Sequence, residues 1–392
     1  MPEQTTEKQA FLNQLHGYQE GIKHKQELES CGSDFADHRG KVANTIATLH
    51  PKRLDLTVAE IIDDTASTKT LRLVSSDDRQ LPPFQAGQYI NLFVNIDGVE
   101  TARPYAISSA PLTRTHYDLT IKRVTPGYVT HFLLDRVKVG DRFQSTGPMG
   151  TFYHNPLFHG EDLVFLAGGS GIAPAISMIR EIADRQHPYR FHLIYASSYE
   201  NDIIFDQELK QLSEQLPNLI LDKVISRPTK HYEGLTGHLS AEFIQQRLET
   251  IENKMFYICG PTPFNEYCAQ QLSTLAVKPR HVRIEANGPP KHPEQQPGWP
   301  QQIIPTQEIT VTVQGGGSFK TPVNEPLLNA LERNGYGTEN ACRSGECSLC
   351  RVKITKGKVF NPSEAHLRTT DQQYGWCHSC VAFPLEDIEI QL

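Results

Sequence analysis

Cys342-Arg-Ser-Gly-Glu-Cys347-Ser-Leu-Cys350 sets three thiols at C-x4-C-x2-C, and Cys380 follows after 29 intervening residues. That is the ligand spacing of a plant-type [2Fe–2S] cluster. Two irons need four thiolates, together with backbone N–H groups turned toward the sulfurs to stabilise an added electron. A tight glycine-containing loop presents three thiols and its amides from one side, and a distant strand delivers the fourth. The competing reading is structural zinc. Zinc frameworks usually pair C-x2-C with a second C-x2-C or a His pair. The x4 gap departs from that, although Cys377 and Cys380 form a C-x2-C of their own.

Four further segments carry chemistry-bearing residues. In Arg103-Pro-Tyr105-Ala106 an arginine able to make a forked, charge-assisted phosphate contact shares a strand face with an aromatic ring two residues on. Taken alone, an ordinary strand arginine explains it equally well. Pro126-Gly127-Tyr-Val129-Thr130 precedes the helical run 131–135, and backbone amides at a helix start favour an anion. Leu163-Val-Phe-Leu-Ala-Gly168-Gly169-Ser-Gly171-Ile-Ala-Pro174 reads as strand, glycine turn and helix. Its glycines would let a pyrophosphate approach the backbone, and Pro174 suits the first helical turn; the run is not the G-x-G-x-x-G fingerprint. Tyr257-Ile-Cys259-Gly260-Pro261 ends a buried strand, where open α/β sheets bind ligands. A lone buried cysteine is otherwise inert packing.

The elements around these residues change character along the chain. Residues 1–50 are polar, with Phe11, Leu12, Leu15, Tyr18 and Ile22 at helical spacing. They predict a short amphipathic helix that docks on its own domain or on a partner. From Arg53, short β-rich runs at 54–61, 70–74, 89–94, 117–124 and 142–146 alternate with Gly and Pro signals, which predicts a small antiparallel barrel. From 162 to 285, apolar runs at 163–166, 191–195, 220–224 and 256–258 alternate with helical stretches at 173–184, 205–216, 241–248 and 264–275. That pattern predicts a doubly wound α/β domain. Residues 287–305 hold six prolines and read as a stiff, extended linker. A strand at 309–313, a helix near 327–334, the cysteine loop and a strand at 351–354 predict a compact α+β domain. The expected boundaries are 1–50, 51–155, 156–286, 287–305 and 306–392.

Residues 53–285 resemble the ferredoxin-reductase superfamily, a flavin-binding antiparallel β-barrel followed by a nicotinamide-binding α/β domain. With the ferredoxin-like β-grasp domain included, the likeness covers about 50–392. The arrangement is similar to oxygenase reductases of the phthalate and phenylacetate types and to the reductase of hybrid cluster protein. The resemblance implies that Arg103 binds flavin phosphate and that Tyr105 lies against the isoalloxazine ring. It also implies that Ile121, Gly127, Val129, Thr130, Gly147, Pro148 and Gly150 line the flavin site, the last three in a Gly-Pro-x-Gly-x-Phe turn. Ala106 stands where the family carries Ser or Thr, so the hydroxyl expected near flavin N5 is absent. Residues 107–109 (Ile-Ser-Ser) look more like FAD-binding than FMN-binding members.

Gly168, Gly169, Gly171, Pro174, Gly260 and Pro261 are the implied nicotinamide-coenzyme contacts, with Asp202-Ile-Ile-Phe205 as a companion motif. Cys259 would sit beside nicotinamide C4, and Glu285 near the flavin edge, although Asn287 replaces the aromatic residue that often follows. Arg227 is a candidate for a 2′-phosphate, but Ala196-Ser-Ser198 offers no cation, which favours NADH over NADPH. The stretch 375–384 resembles the ferredoxin pattern Gly-Tyr-x-x-x-Cys-x-x-x-Pro. It makes Cys380 the fourth ligand and Cys377 a small buried hydrophobe.

A formal charge of −7 argues against a general nucleic-acid binder. No apolar stretch reaches the roughly 20 residues of a membrane span, and the first 30 residues show no leader-like core, so a cytoplasmic protein is expected. Clustered cysteines there suit metal or redox chemistry more than disulfides. The reading that unites the segments is an NAD(P)H oxidoreductase passing electrons through flavin and [2Fe–2S] to a partner metalloenzyme, an oxygenase component or a hybrid cluster protein. Two others compete. A zinc-bearing, redox-silent binding module explains the cysteines alone. A flavin domain that itself oxidises an organic substrate would keep turning over without the cluster.

Overall fold

The computed structural model describes residues 10, 12–13, 17–30, 35–49, 51, 53–125, 127–285, 288–340, 342–362, 365 and 367–392. Phe11 and Leu15 of the expected N-terminal helix, with Cys31, Pro126 and Asn287, lie outside the described residues. The chain divides into two compact units, Met1–Lys52 and Arg53–Leu392. In the first, helices span Tyr18–Ser30 and Phe35–Leu49. Tyr18 and Ile22 fall in the former, and the latter was not expected from the sequence pattern.

The second unit begins with six antiparallel strands: β1 (Leu54–Thr65), β2 (Thr68–Ser75), β3 (Tyr89–Ile96), β4 (Val99–Ala106), β5 (His116–Lys122) and β6 (Arg142–Ser145). Their order is β4-β3-β6-β1-β2-β5, and an Ile107–Leu119 bridge ties the two outer strands into a barrel. The β3–β4 hairpin turns at Asp97-Gly98, both at positive φ, as a two-residue hairpin of the I′ type requires. Strand β4 escaped the sequence pattern because Glu100, Thr101, Arg103 and Pro104 break the apolar alternation. Pro104 is tolerated because β4 is an outer strand. Leu56, Val58, Leu71, Leu73, Ile90, Leu92 and Leu119 are fully buried in the barrel, each such side chain stabilising by about 1.5–3 kcal/mol.

The α/β domain is a parallel sheet of β7 (Asp162–Gly168), β8 (Arg190–Ser197), β9 (Leu219–Ile225), β10 (Leu235–Thr236), β11 (Met255–Cys259) and β12 (Val282–Ile284), ordered β10-β9-β8-β7-β11-β12. Alternate residues of β7 feed two cores: Leu163 and Phe165 pack with Ile172, Ile176 and Ile179, whereas Val164 and Leu166 pack with Ile244, Cys268 and Leu272. Burial on both faces explains the unbroken apolar runs. The order reverses between β7 and β11, which creates the crevice where such sheets bind ligands.

The C-terminal domain has β13 (Glu308–Val313), β14 (Ser318–Pro322), β15 (Arg351–Lys356), β16 (Val359–Phe360), β17 (Trp376–His378), β18 (Phe383–Pro384) and β19 (Ile388–Gln391); five form a sheet ordered β14-β13-β19-β15-β17 beside the helix Leu327–Arg333, and β16 pairs with β18. The proline-rich segment is more than a spacer. Trp299 is buried against Phe360 and Phe383, so its second half belongs to this core. No helix among the described residues is long and apolar enough to cross a membrane.

Candidate functional site

The barrel, the α/β sheet and the cysteine loop meet at two adjoining cavities. One, of about 280 Å³, is lined by Tyr89, Tyr105, Ala106, Thr120, Lys122 and Thr130 from the barrel, by Gly171, Pro174, Cys259, Gly260, Pro261 and Glu285 from the α/β domain, and by Cys342 and Ser344. The other, of about 500 Å³, is lined by Arg103, Tyr105, Gly127, Val129 and Thr130, and by Leu328, Asn329, Cys342, Arg343 and Cys380.

On β4, the consecutive residues Arg103, Pro104 and Tyr105 all reach the larger cavity. On β5, Thr120 and Lys122 line the smaller one, whereas Ile121 between them points into the barrel core. Ile121, expected to line the flavin site, is not among the lining residues of either cavity. Thr130 Oγ1 lies 3.3 Å from Val124 N and closes the loop that holds Gly127. Gly147 and Pro148 are buried behind the site, and Gly150, at φ +102°, leaves room for the Tyr89 ring.

The glycine turn 168–171 forms a single 3₁₀ turn leading into the helix Ile172–Arg185. A Cβ on Gly171 would strike the Cys259 carbonyl, so only glycine lets this turn close on the end of β11. Cys259 is buried at that strand end. Glu285 follows β12, its amide donating to Ile258 O at 3.0 Å and its carbonyl accepting from Asn265 Nδ2 at 2.8 Å. Burial, reinforced by Glu346, raises its carboxyl well above the usual range, with Arg283 opposing.

The four thiols converge. Cys350 Sγ lies 3.2 Å from Cys380 Sγ, and Cys342 Sγ accepts from the amides of Ser344 and Cys347 at 3.4 Å each. Contacts from the Cys347 and Cys380 thiols, with those amides, hold Cys342 far below the usual thiol range. Neighbouring corners of a tetrahedral thiolate site with bonds of about 2.3 Å stand about 3.8 Å apart. The Cys350–Cys380 pair, at 3.2 Å, stands closer than that. Cys377 is fully buried on β17, in register with Val352, and packs in the hydrophobic core as a small apolar residue.

Residues 55–154 match the oxidoreductase FAD-binding domain, 165–270 the oxidoreductase NAD-binding domain and 311–385 the 2Fe-2S iron-sulfur cluster binding domain. The ferredoxin reductase component of 3-ketosteroid-9-alpha-monooxygenase from Rhodococcus rhodochrous is 27% identical, over 88% of this chain and 98% of the relative. The glycine betaine monooxygenase reductase subunit of Pseudomonas aeruginosa is 27% identical, over 84% of this chain and 93% of the relative. Among solved structures, phthalate dioxygenase reductase superposes with a TM-score of 0.61 at 21% identity, covering 87% of this chain and 98% of that one. The chain belongs to the ferredoxin-reductase superfamily, in the group that carries a [2Fe–2S] ferredoxin domain after the nicotinamide domain. It is an NAD(P)H oxidoreductase whose cofactors are FAD and a [2Fe–2S] cluster.

The residues present fit both groups. Converging thiols, three of them buried and Cys347 partly exposed, with amides aimed at sulfur suit iron–sulfur chemistry. Arg103 is a half-buried guanidinium that, among the described residues, donates to Thr101 Oγ1 at 2.8 Å and to Ala102 O at 2.7 Å. Burial, and the nearby Arg343, bring it below the usual arginine range. A cation so placed beside a cavity calls for an anion. Sequence reasoning missed Tyr89, Lys122, Arg343 and Ser344. Lys122 was within reach, as a polar residue one step along the strand from a buried Ile.

Proposed function

We propose that this chain is the reductase component of an oxygenase system, taking a hydride from NADH and delivering electrons singly to the metal centre of a partner protein. The observation that carries the reading is the smaller cavity, which Tyr105 and Ala106, Gly171 and Cys259, and Cys342 of the cysteine loop line together. When bound, the flavin accepts two electrons as hydride and the cluster carries one at a time, which supplies the two-to-one conversion.

The chain's own residues do the positioning. Arg103 binds the flavin phosphate and Tyr105 supports the ring, with Thr130 and the 127–130 backbone at the phosphate end. The glycines 168, 169 and 171 admit the coenzyme pyrophosphate, Pro174 starts the supporting helix, and Gly260-Pro261 shapes the nicotinamide side. Cys259 aligns the nicotinamide carbon that gives hydride, and Glu285 closes the edge against water. Cys342, Cys347, Cys350 and Cys380 hold the cluster. The domain limits that match these roles are 51–155, 156–286 and 306–392, with 287–305 as the connector and 1–50 as an extension.

The deciding experiment is anaerobic addition of NADH to the holoprotein, followed by optical and electron paramagnetic resonance spectra. Bleaching of the flavin band together with a reduced-cluster signal is expected. A reduced flavin beside a cluster that stays fully oxidised would overturn the reading. Reconstitution with an oxygenase component, against hybrid cluster protein, distinguishes the acceptor.

A further inference from the structure

We propose that Arg343, in the cysteine loop, and Arg103, in the barrel, clamp the flavin phosphate from two domains. The inference rests on the reading that the larger cavity is the flavin-phosphate site. Both guanidiniums line that cavity. Both also reach the same hydroxyl: Arg103 Nη1 lies 2.8 Å, and Arg343 Nη2 3.5 Å, from Thr101 Oγ1.

Two like charges meeting at one small acceptor repel each other, and in a half-dry pocket that repulsion is poorly screened. Glu332 pairs with Arg343 through Nη2, and Asn329 Oδ1 lies 3.4 Å from Nη1. Among the described residues, the buried Nε–H has no hydrogen-bond partner. Arg343 itself is only 12% exposed, and its backbone adopts the left-handed φ of +54°. The ion pair with Glu332, which lies within the same domain, needs neither an orphaned Nε–H nor a second arginine on Thr101. A phosphate between the guanidiniums would relieve the repulsion and take up the free donor, because arginine forks match phosphate oxygens.

The clamp would make flavin affinity depend on a residue of the iron–sulfur domain, next in sequence to the ligand Cys342. The test is a fluorescence-quenching titration of flavin-stripped protein with FAD and with riboflavin, which lacks phosphate. Arg343→Met should weaken FAD binding by about tenfold or more and leave riboflavin binding unchanged. Arg343→Lys, which keeps the charge and loses the fork, should fall between, and it provides the same comparison should the Met variant fail to fold. Equal losses for FAD and riboflavin would mean a merely structural role and overturn the clamp. No loss in Arg343→Met, while Arg103→Met loses FAD, overturns the clamp and leaves the phosphate site standing. No loss in either variant overturns the placement of the flavin phosphate, and the clamp with it.

Discussion

Lys122 Nζ lies 2.6 Å from Asp202 Oδ2, an ion pair that joins the barrel to the α/β domain. The other oxygen of Asp202 accepts from Thr65 Oγ1 and Ser67 Oγ, each at 2.7 Å, so one carboxylate holds three barrel side chains. Lys122 also lines the shared cavity and comes close to Gly169 of the glycine turn. The Asp202-Ile-Ile-Phe205 motif therefore works as a fastening that fixes the coenzyme turn relative to the flavin barrel. Asp202→Ala removes all three bonds and leaves Lys122 half-buried without its partner. It should destabilise the junction by about 2–4 kcal/mol, and stopped-flow flavin reduction should slow because the two halves lose register. Normal flavin-reduction rates with an unchanged unfolding transition would contradict the fastening role.

The same carboxylate gives a pH dependence. Burial alone would raise the Asp202 carboxyl, but Lys122, Thr65 and Ser67 outweigh it and hold it below the usual range. A depressed folded value means that the fastening is fully present above the unfolded carboxyl's pKa and is lost as pH falls through the folded value. Flavin reduction should weaken in acid in the wild type, and that part of the profile should be absent in Asp202→Asn.

The glycine turn packs onto the Cys259 carbonyl so closely that a Cβ on Gly171 would collide with it. If its thiol aligns the nicotinamide, Cys259→Ala should slow flavin reduction by roughly ten- to a hundredfold with little change in coenzyme affinity. The flavin and cluster absorption should be unaltered. An unchanged rate would return Cys259 to simple packing.

Cys377 and Cys380 separate by environment as well as by spacing. Cys380 touches Cys350 Sγ, whereas Cys377 sits in the apolar core. Cys380→Ser should abolish the cluster absorption. Cys377→Ser should keep it and cost about 1–3 kcal/mol for an unpartnered buried hydroxyl. Cys350→Ser should preserve flavin reduction by NADH and abolish transfer to a one-electron protein acceptor, whereas steady turnover of an organic substrate in that variant would favour the competing flavin-oxidase reading.

Legibility in the sequence followed the range of the interactions. The cysteine spacing, the glycine turn and the buried parallel strands are local patterns, and each was readable. Strand β4 was hidden because its residues serve the cavity instead of the core: Arg103 and Pro104 look nothing like a strand. Trp299 was masked by the prolines around it, and its burial depends on Phe360 and Phe383, more than 60 residues away. Arg343 and Lys122 gain meaning only from partners in other domains, Thr101 and Asp202, and no spacing rule carries that information.

A second pH effect comes from the histidines clustered around Tyr257 and Tyr189. His154 Nδ1 and His159 Nδ1 both face the Tyr257 hydroxyl, at 3.4 and 2.8 Å, and His187 stacks on Tyr189, which meets His154 edge-on. Burial, with His159 and His187 adding to it, lowers His154 to about 4; burial, with Arg283, also lowers His159. Glu181 and Arg185 line, with His154, His187 and Tyr189, a separate cavity of about 200 Å³. A histidine kept neutral in the fold takes up its proton more readily when unfolded, so stability is lost as pH falls from about 6.5 toward about 4. His154→Phe removes the titrating ring and keeps an aromatic of similar shape. Its melting temperature should therefore fall less between those two pH values than that of the wild type. Parallel curves for the two proteins would show that His154 does not titrate with unfolding.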